Sequence, residues 1–272
     1  MGEAVQVNID DVIRGKSEKL YRWLPRFVIN YLKRIVHQDE VNDILRRYHG
    51  QNGIDFSNGI IAEFNVKFEV HNHEKIPQQN NLIIASNHPL GGFDGLALIS
   101  LISRYHSRIK FPVNDLLMNV PNLQDIFVPI NTIGSKSIQL ARQFDEVFAS
   151  DNVILYFPAG LCSRKINGKI QDLPWKKTFV SKAKEFKRDI LPIYFDGKNS
   201  SFFYNLANIR KKLKIKANIE MLYLCDELFK QKNSTYNIYI GDLIPHTQLD
   251  NSKTDYQLAQ DIREKVMGLK SE

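Results

Sequence analysis

The segment at residues 86–95, with the sequence SNHPLGGFDG, holds the strongest chemical signal in the chain. It follows an apolar run predicted to be a buried strand and precedes an apolar run predicted to be a helix. His88 is suited to accept a proton near neutral pH, and Asp94 could hold its tautomer and support the imidazolium charge. Gly91 and Gly92 allow backbone angles that turn Asp94 back towards His88. On spacing alone, the alternative is a plain strand-to-helix turn in which His88 caps the backbone.

A second segment, residues 157–164 with the sequence FPAGLCSR, follows the apolar run VILYF. Pro158 and Gly160 predict a turn at the end of that strand. Ser163 and Arg164 bring a hydroxyl and a planar guanidinium, which is well suited to binding phosphate. The segment therefore predicts a loop that contacts an anionic group.

Composition and absent motifs exclude several classes of protein. The 272 residues carry a net charge of +7 and two cysteines in no paired motif, which disfavours a disulfide framework and favours a reducing compartment. The sequence has no P-loop, no dinucleotide-binding glycine motif and no GxSxG nucleophile elbow. His71 and His73 have no third ligand at a suitable spacing, so no metal site is predicted. Without a signal peptide or a run of about 18 apolar residues, a cytoplasmic or peripheral membrane protein is expected.

Positive charge is concentrated in one part of the chain. Residues 164–216 hold fifteen Lys and Arg against four acidic residues, a net charge of +11, which leaves −4 for the rest. Such a run is either a solvated face or a surface for a phosphate-bearing ligand or an anionic membrane.

Strands and helices alternate from about residue 53 onwards. The apolar runs predict strands at 60–71, 81–86, 108–113, 125–130, 153–157, 190–195 and 236–240. The intervening patterns predict helices at 94–105, 135–149, 175–188 and 255–267. Pro192 lies inside one apolar run, which is typical of an edge strand or a bulge. The predicted fold class is α/β, with a mixed β-sheet flanked by helices.

The first fifty residues predict a helical region separate from the sheet. Leu20, Leu24, Phe27 and Tyr31 recur at helical spacing, and Pro25 predicts a helix start or a kink. The stripe is either an amphipathic helix docked on its own domain or a helix lying in a membrane interface. The predicted domains are residues 1–50, an amphipathic helical region, and residues 51–272, the α/β domain with a C-terminal helix.

Four segments in this order resemble the glycerolipid acyltransferase family, represented by 1-acylglycerol-3-phosphate O-acyltransferase. They are Asn87-His88 with Asp94, residues 126–129, residues 157–163 and residues 190–194, within a region of similarity from about 55 to 245. The pattern NHPxGGxDG with FPAG is especially similar to a bacterial branch associated with acylation of lyso-amino-acid lipids. The resemblance implies a glycerol-3-phosphate acyltransferase-like fold.

The sequence departs from the family pattern at several positions. Five residues rather than four separate His88 from Asp94. Ala159 replaces the glutamate of the FPEG motif, and Cys162 stands at the arginine position, with Arg164 two residues later. The arginine associated with the acceptor phosphate is replaced by Asn131 or missing. These changes weaken the case for lysophosphatidate and fit an acceptor without a phosphomonoester.

The resemblance implies that a fatty acyl group moves from an acyl thioester to a lyso-lipid hydroxyl, with His88 as general base and Asp94 orienting it. The implied substrate-binding residues are Asn87, Gly91, Gly92, Phe157, Pro158, Gly160, Ser163 and Arg164. No metal or other cofactor is required, because acyl carrier protein or CoA brings the acyl group as a co-substrate.

The expected partners are that carrier, a lyso-lipid acceptor and an anionic membrane surface on the inner face of the cell membrane, with no nucleic acid. Three alternatives to a lyso-amino-acid lipid acyltransferase remain open. They are lysophosphatidate acyltransferase, a thioester or lipid hydrolase, and a basic binding module without turnover.

Overall fold

The computed structural model describes residues 6–114, 117–130 and 137–271. In these ranges the helices are α1 (Ile9–Lys16), α2 (Glu18–Trp23), α3 (Arg26–Ile35), α4 (Gln38–Arg47), α5 (Gly53–Glu63), α6 (Phe93–Ile102), α7 (Ser137–Ala149), α8 (Thr178–Glu185), α9 (Ser201–Lys212), α10 (Leu224–Phe229) and α11 (Asp255–Gly268). The strands are β1 (Lys67–His71), β2 (Leu82–Ser86), β3 (Ile109–Val113), β4 (Phe127–Pro129), β5 (Val153–Tyr156), β6 (Arg164–Ile166), β7 (Lys169–Gln171), β8 (Asp189–Asp196) and β9 (Thr235–Ile240).

A mixed sheet organises the larger part of the chain. Seven of the described strands pair in the order β1-β9-β8-β2-β5-β3-β4. β8 and β9 are antiparallel, and every other neighbouring pair is parallel. β6 and β7 form a separate antiparallel hairpin. The predicted α/β class, a mixed sheet flanked by helices, is confirmed.

The centre of the sheet is buried on both faces, as near-continuous apolar strands require. Every residue of β2 is buried, and the same holds for β5. Ile83 on one face of β2 packs in a cluster with Phe179 of α8 and Ile262 of α11. α11 is held at its start by a capping box, in which Thr254 and Gln257 exchange hydrogen bonds. The helices therefore cover one face of the central strands.

Pro192 lies in a central strand, so the edge alternative for this proline is wrong. β8 has β2 on one side and β9 on the other. Ile193 pairs with Ile240, and Ile190 pairs with Ile244. The two residues of β8 are three positions apart, whereas their two partners are four positions apart. The ladder is thus irregular where proline lacks its N–H, and the Gly241 N–H donates to the Pro192 carbonyl at 2.9 Å.

Most predicted elements are present with bounds shifted by one to three residues, but the strand predicted at 60–71 is partly wrong. Residues up to Glu63 belong to α5, and only Lys67–His71 form a strand. The helix buries Phe56 and Ile60, which are four residues apart, and Phe64 continues that spacing just beyond its end. A pattern read from Ile60 onwards misses this helical period. The predicted helix start at Ser135 lies outside the described residues.

The described chain divides into two compact units. The sheet unit comprises residues 52–198 and 232–271 and contains all the strands named above. The helical unit comprises residues 6–51 and 199–231, so α9 and α10 join the four N-terminal helices. Pro25 precedes the first residue of α3, as the helix-start prediction required. Among the described helices, none combines the length and apolar character that crossing a bilayer requires.

Candidate active site

The carboxyl end of β2 leads directly into the candidate site. Asn87 is 3% exposed, and its side-chain amide pairs with the main chain of Phe195 at the end of β8. Nδ2 donates to the Phe195 carbonyl at 2.9 Å, and Oδ1 accepts the Phe195 N–H at 2.7 Å. Asn87 therefore fixes the chain just before His88. Its predicted contact with substrate stays a prediction.

His88 and Asp94 are in contact. The imidazole Nδ1 lies 2.9 Å from the Asp94 Oδ2, and the carboxylate is completely buried while the His88 side chain is 14% exposed. Because a carboxylate oxygen accepts, this contact selects the tautomer with its proton on Nδ1 and leaves a lone pair on Nε2. No residue that the structure describes gives Nε2 a hydrogen-bond partner. The pair has the arrangement that a general base needs.

The turn between the two residues explains how the longer spacing still allows contact. Gly91 has φ of +77°, a left-handed conformation that favours glycine. The Asp94 Oδ2 also accepts the Leu90 N–H at 2.9 Å. Its Oδ1 accepts the N–H groups of Gly92 and Gly95, each at 3.1 Å. One carboxylate therefore orients the imidazole and closes the turn that begins α6.

The end of β5 supports the imidazole from one side. The ring of Phe157 stacks on the ring of His88, with centroids 4.0 Å apart and planes 19° apart. Phe111 of β3 meets Phe157 edge-on at 5.1 Å. A Cβ on Gly95 would lie 3.2 Å from the Phe111 ring, so a residue without a side chain suits that position. This aromatic stack packs one face of the base against apolar surface.

The predicted turn after β5 is present. Gly160 has φ of +69°, and its N–H donates to the Phe157 carbonyl at 3.0 Å. The Pro158 carbonyl accepts the N–H of Lys176 at 3.0 Å. A Cβ on Gly160 would lie 2.9 Å from the Lys176 Nζ, so the lysine side chain lies over this glycine. The loop thus places an exposed ammonium group beside the segment that stacks on the imidazole.

Ser163 and Arg164 are packed into the loop. Ser163 is 2% exposed; its N–H donates to the His88 carbonyl at 2.7 Å, and its hydroxyl donates to Asp172 at 2.5 Å. Arg164 is 8% exposed, and its Nη1 donates to the Cys162 carbonyl at 2.7 Å and contacts the thiol sulfur at 2.9 Å. Burial raises the pKa of the Cys162 thiol to about 11. The substrate contacts predicted for both residues stay predictions.

Asp172 is a site residue that the sequence analysis missed. Its side chain is 1% exposed, and it accepts the His88 N–H at 3.2 Å and the Trp175 indole N–H at 3.0 Å. Its carbonyl accepts from Arg263 of α11 at 2.7 Å. Burial raises the pKa of this carboxyl, and the hydrogen bonds from Ser163 and Trp175 oppose that rise. One signal existed in the sequence: Asp172 is among the few acidic residues of the basic stretch 164–216.

Two glycines that the sequence analysis names as substrate-binding residues use their amides within the protein. The Gly92 N–H donates to Asp94, and the Gly160 N–H donates to the Phe157 carbonyl. Asn131 lies outside the described residues. Within the parts of the chain that the structure describes, no three His, Cys, Asp or Glu side chains group as metal ligands.

Comparison with known proteins agrees with the chemistry of this site. A family described as acyltransferase matches residues 11–272. A lyso-glycine lipid O-acyltransferase of Phocaeicola vulgatus is 45% identical over 264 residues, covering 97% of this chain and 95% of that protein. A lyso-glycine lipid O-acyltransferase of Bacteroides thetaiotaomicron is 44% identical over 264 residues, covering 97% of each.

Among solved structures, the 1-acyl-sn-glycerophosphate acyltransferase PlsC from Thermotoga maritima is similar, with a TM-score of 0.48 and 15% identity, covering 90% of this chain and 93% of that one. The family match spans nearly the whole chain, and the two relatives cover it at well above 30% identity. The chain is therefore an enzyme that transfers acyl groups, and it belongs to the acyltransferase family.

Proposed function

We propose that the protein transfers a fatty acyl group from an acyl thioester to the hydroxyl of a lyso-amino-acid lipid. The observation that supports this reaction is the His88–Asp94 contact of 2.9 Å, with Nε2 left unpaired among the described residues. The names of the two relatives make lyso-glycine lipid the first acceptor to test.

In the proposed mechanism, Nε2 of His88 takes the proton of the acceptor hydroxyl as its oxygen attacks the thioester carbonyl. Asp94 accepts the hydrogen bond from Nδ1 and stabilises the imidazolium that forms. The tetrahedral intermediate then expels the thiolate, which receives the proton from the imidazolium, and an ester and a free thiol result. The protein forms no covalent intermediate, and no cofactor beyond the acyl carrier takes part.

A purified-enzyme assay tests the reaction and its acceptor. We expect labelled acyl transfer to lyso-glycine lipid, and slower or no transfer to lysophosphatidate, with acyl carrier protein and acyl-CoA supplied in separate reactions. His88→Ala should lower kcat about 10²–10⁴-fold, the usual contribution of a general base. His73→Ala, which changes an imidazole that is 64% exposed, serves as the matched control.

Three results would contradict the proposal. A fatty acid released from the thioester at full rate without any acceptor would indicate a hydrolase. Transfer to lysophosphatidate alone would indicate the phosphatidate-forming alternative. A His88→Ala enzyme as active as His73→Ala would rule out the assigned base.

The anionic part of the acyl donor is proposed to meet exposed lysines of the active-site loops. Arg164 is packed inside, whereas Lys165 and Lys176 are exposed, and Lys176 lies over Gly160. Its ammonium group forms no ion pair within the described residues. We expect Lys176→Ala to raise KM for the phosphate-bearing donor several-fold, and the neighbouring Lys177→Ala to leave it unchanged. An unaltered KM in the first variant would refute this contact.

We propose that the helical unit binds an anionic membrane surface. Most of the exposed large apolar side chains of the described residues lie in this unit: Val12, Leu20, Trp23, Phe27, Tyr31, Phe202, Ile209, Leu213, Ile215 and Leu222. Trp23 is 78% exposed and Phe27 is 74% exposed. The end of α9 adds lysines at 211, 212, 214 and 216 beside its exposed apolar residues. Apolar side chains next to basic ones are typical of interfacial helices.

A vesicle assay separates this role from folding. Trp23→Ser with Phe27→Ser should lower sedimentation with anionic vesicles at least several-fold and leave the melting temperature unchanged, since both side chains are exposed. Tyr256→Ser, which removes an exposed aromatic side chain from the sheet unit, is the control. Equal sedimentation of the wild type, the double variant and the Tyr256→Ser control would reject the proposed surface.

A further inference from the structure

We infer that Asp172 is a positioning residue for His88, which holds the main chain behind the imidazole and supplies it with a second negative charge. The inference rests on the proposed role of His88 as general base. Asp94 fixes the imidazole through Nδ1. Asp172, which directly follows the β6–β7 hairpin, instead accepts the backbone N–H of His88.

The contacts of Asp172 close a ring of hydrogen bonds around His88. The Asp172 Oδ1 accepts the His88 N–H at 3.2 Å and the Ser163 hydroxyl at 2.5 Å. Ser163 in turn donates its N–H to the His88 carbonyl at 2.7 Å. Both main-chain polar groups of His88 are therefore held by this pair. A rotation of the main chain at His88 breaks at least two of these bonds, so the ring direction is fixed from behind.

The surroundings of Asp172 show what an ionised carboxylate at this position would interact with. A buried ionised carboxylate is costly unless it is paired, and Asp172 is 1% exposed. Its partners are an N–H, a hydroxyl and an indole N–H, all neutral. An imidazolium, which forms when His88 takes the acceptor proton, would stabilise an ionised Asp172, and the Arg263 guanidinium contacts its main-chain carbonyl. Burial is the largest effect on the pKa of Asp172 and raises it, whereas the charge of His88 lowers it.

The charged and titratable groups around this pair come from seven elements or loops. They are Asp94 of α6, Cys162 after β5, Arg164 of β6, Lys176 before α8, Tyr194 of β8, Tyr236 of β9 and Arg263 of α11. Burial raises the pKa of the thiol and of both tyrosines, so these three groups stay neutral between pH 5 and 8. The two arginines stay charged. An altered pH profile in this range therefore reports on the imidazole and its two carboxylates.

Asp172→Asn tests the inference, with Asp189→Asn as the matched control. Asp189 also accepts a histidine N–H, from His246 at 2.8 Å, and its side chain is 19% exposed. It pairs with Leu82 at the start of β2, four residues and about 13 Å from the end that carries the site. For Asp172→Asn we expect kcat to fall 10–100-fold with KM for both substrates within about threefold. The acid limb of the kcat/KM profile should move to lower pH, by on the order of half a unit or more, because the imidazolium loses a negative neighbour.

Asp189→Asn should lower the melting temperature without moving the pH profile. If Asp172→Asn behaves like this control, with kcat and the acid limb of the wild type, the inference is wrong. If His88→Ala retains activity, the proposed function itself is wrong. If His88→Ala loses activity and Asp172→Asn keeps it, only the inference about Asp172 is wrong. Should Asp172→Asn not fold, Ser163→Ala removes the hydroxyl that contacts both Asp172 and His88. We then expect a kcat at least fivefold lower at unchanged KM; a wild-type kcat, or a raised KM alone, overturns the inference.

Discussion

Asp94→Asn tests whether one carboxylate both orients the base and closes the turn. The wild-type carboxylate accepts four N–H donors, two on each oxygen: the imidazole and the amide of Leu90 on Oδ2, and the amides of Gly92 and Gly95 on Oδ1. An asparagine has one oxygen, so either orientation of its amide places an NH₂ group against two donors.

The structure sets the size of both effects. Each buried donor left without an acceptor costs about 1–3 kcal/mol, so the free energy of unfolding should fall by about 2–6 kcal/mol if the NH₂ group faces the two glycine amides. It should fall by about 1–3 kcal/mol if the NH₂ group faces the imidazole, since only the Leu90 amide then lacks an acceptor. If the NH₂ group faces the imidazole, Nδ1 must become an acceptor, which places the proton on Nε2 and removes the base. In a Ser–His–Asp triad the same substitution lowers kcat by about 10⁴. We expect kcat to fall at least 100-fold here.

Urea denaturation measures the loss of stability, and steady-state kinetics measure the loss of kcat, on the same preparation. His88→Ala is the informative comparison, because it removes one of the four donors and leaves the three amides bound to Asp94. That variant should have a kcat about 10²–10⁴-fold lower than the wild type but lose only about 1 kcal/mol of stability. The reasoning is refuted if Asp94→Asn keeps kcat within tenfold of the wild type while its stability falls, since Asp94 would then only build the turn. It is refuted equally if stability is unchanged.

Three further results are expected. The Cys162 thiol, whose pKa burial raises to about 11, should resist alkylation at pH 8 in the folded protein and react on unfolding, as mass spectrometry would show; rapid labelling of the native enzyme would contradict its burial. Gly160→Ala should lower the free energy of unfolding by about 1 kcal/mol or more, because φ is +69° and the new Cβ meets the Lys176 amine; wild-type stability in urea would refute this. Hydrogen bonds, first that from Lys184, lower the pKa of Asp255, so its contribution is present above pH 3.8 and is lost as pH falls through the lowered value. Asp255→Asn should therefore cost about 1 kcal/mol at pH 7 and nothing near pH 2; a pH-independent difference would show that no ionisation is involved.

The sequence indicated contacts that are local in the chain, although spacing alone left the contact between His88 and Asp94 open. The two residues are six positions apart across a strand, a turn and a helix, and the motif resemblance pointed to their pairing. The longer spacing did not prevent contact, because Gly91 takes a left-handed conformation that shortens the turn. The turn at Gly160 was predictable because Pro158 and Gly160 are residue types that favour turns.

Contacts between distant parts of the chain were not predictable in this way. Asp172 is 84 residues from His88, and its position depends on how the β6–β7 hairpin returns to the loop. Arg164 has the residue type of an anion-binding group, but packing turns its guanidinium onto the Cys162 carbonyl. α9 was missed because apolar residues on its exposed side, Phe202 and Ile209, accompany the buried Phe203, Tyr204 and Ala207, which hides the helical period. In each case tertiary packing decides, and no short window of sequence contains it.

The pairing of Asn87 with Phe195 has a consequence for how the enzyme fluctuates. The side-chain amide acts as one additional rung between β2 and β8, after the last paired residues of the two backbones. Opening that rung requires the strand ends to separate, so the Phe195 amide proton should exchange with deuterium as slowly as protons deep in the sheet. Slow exchange there would mean that fraying of the strand ends does not reach the base.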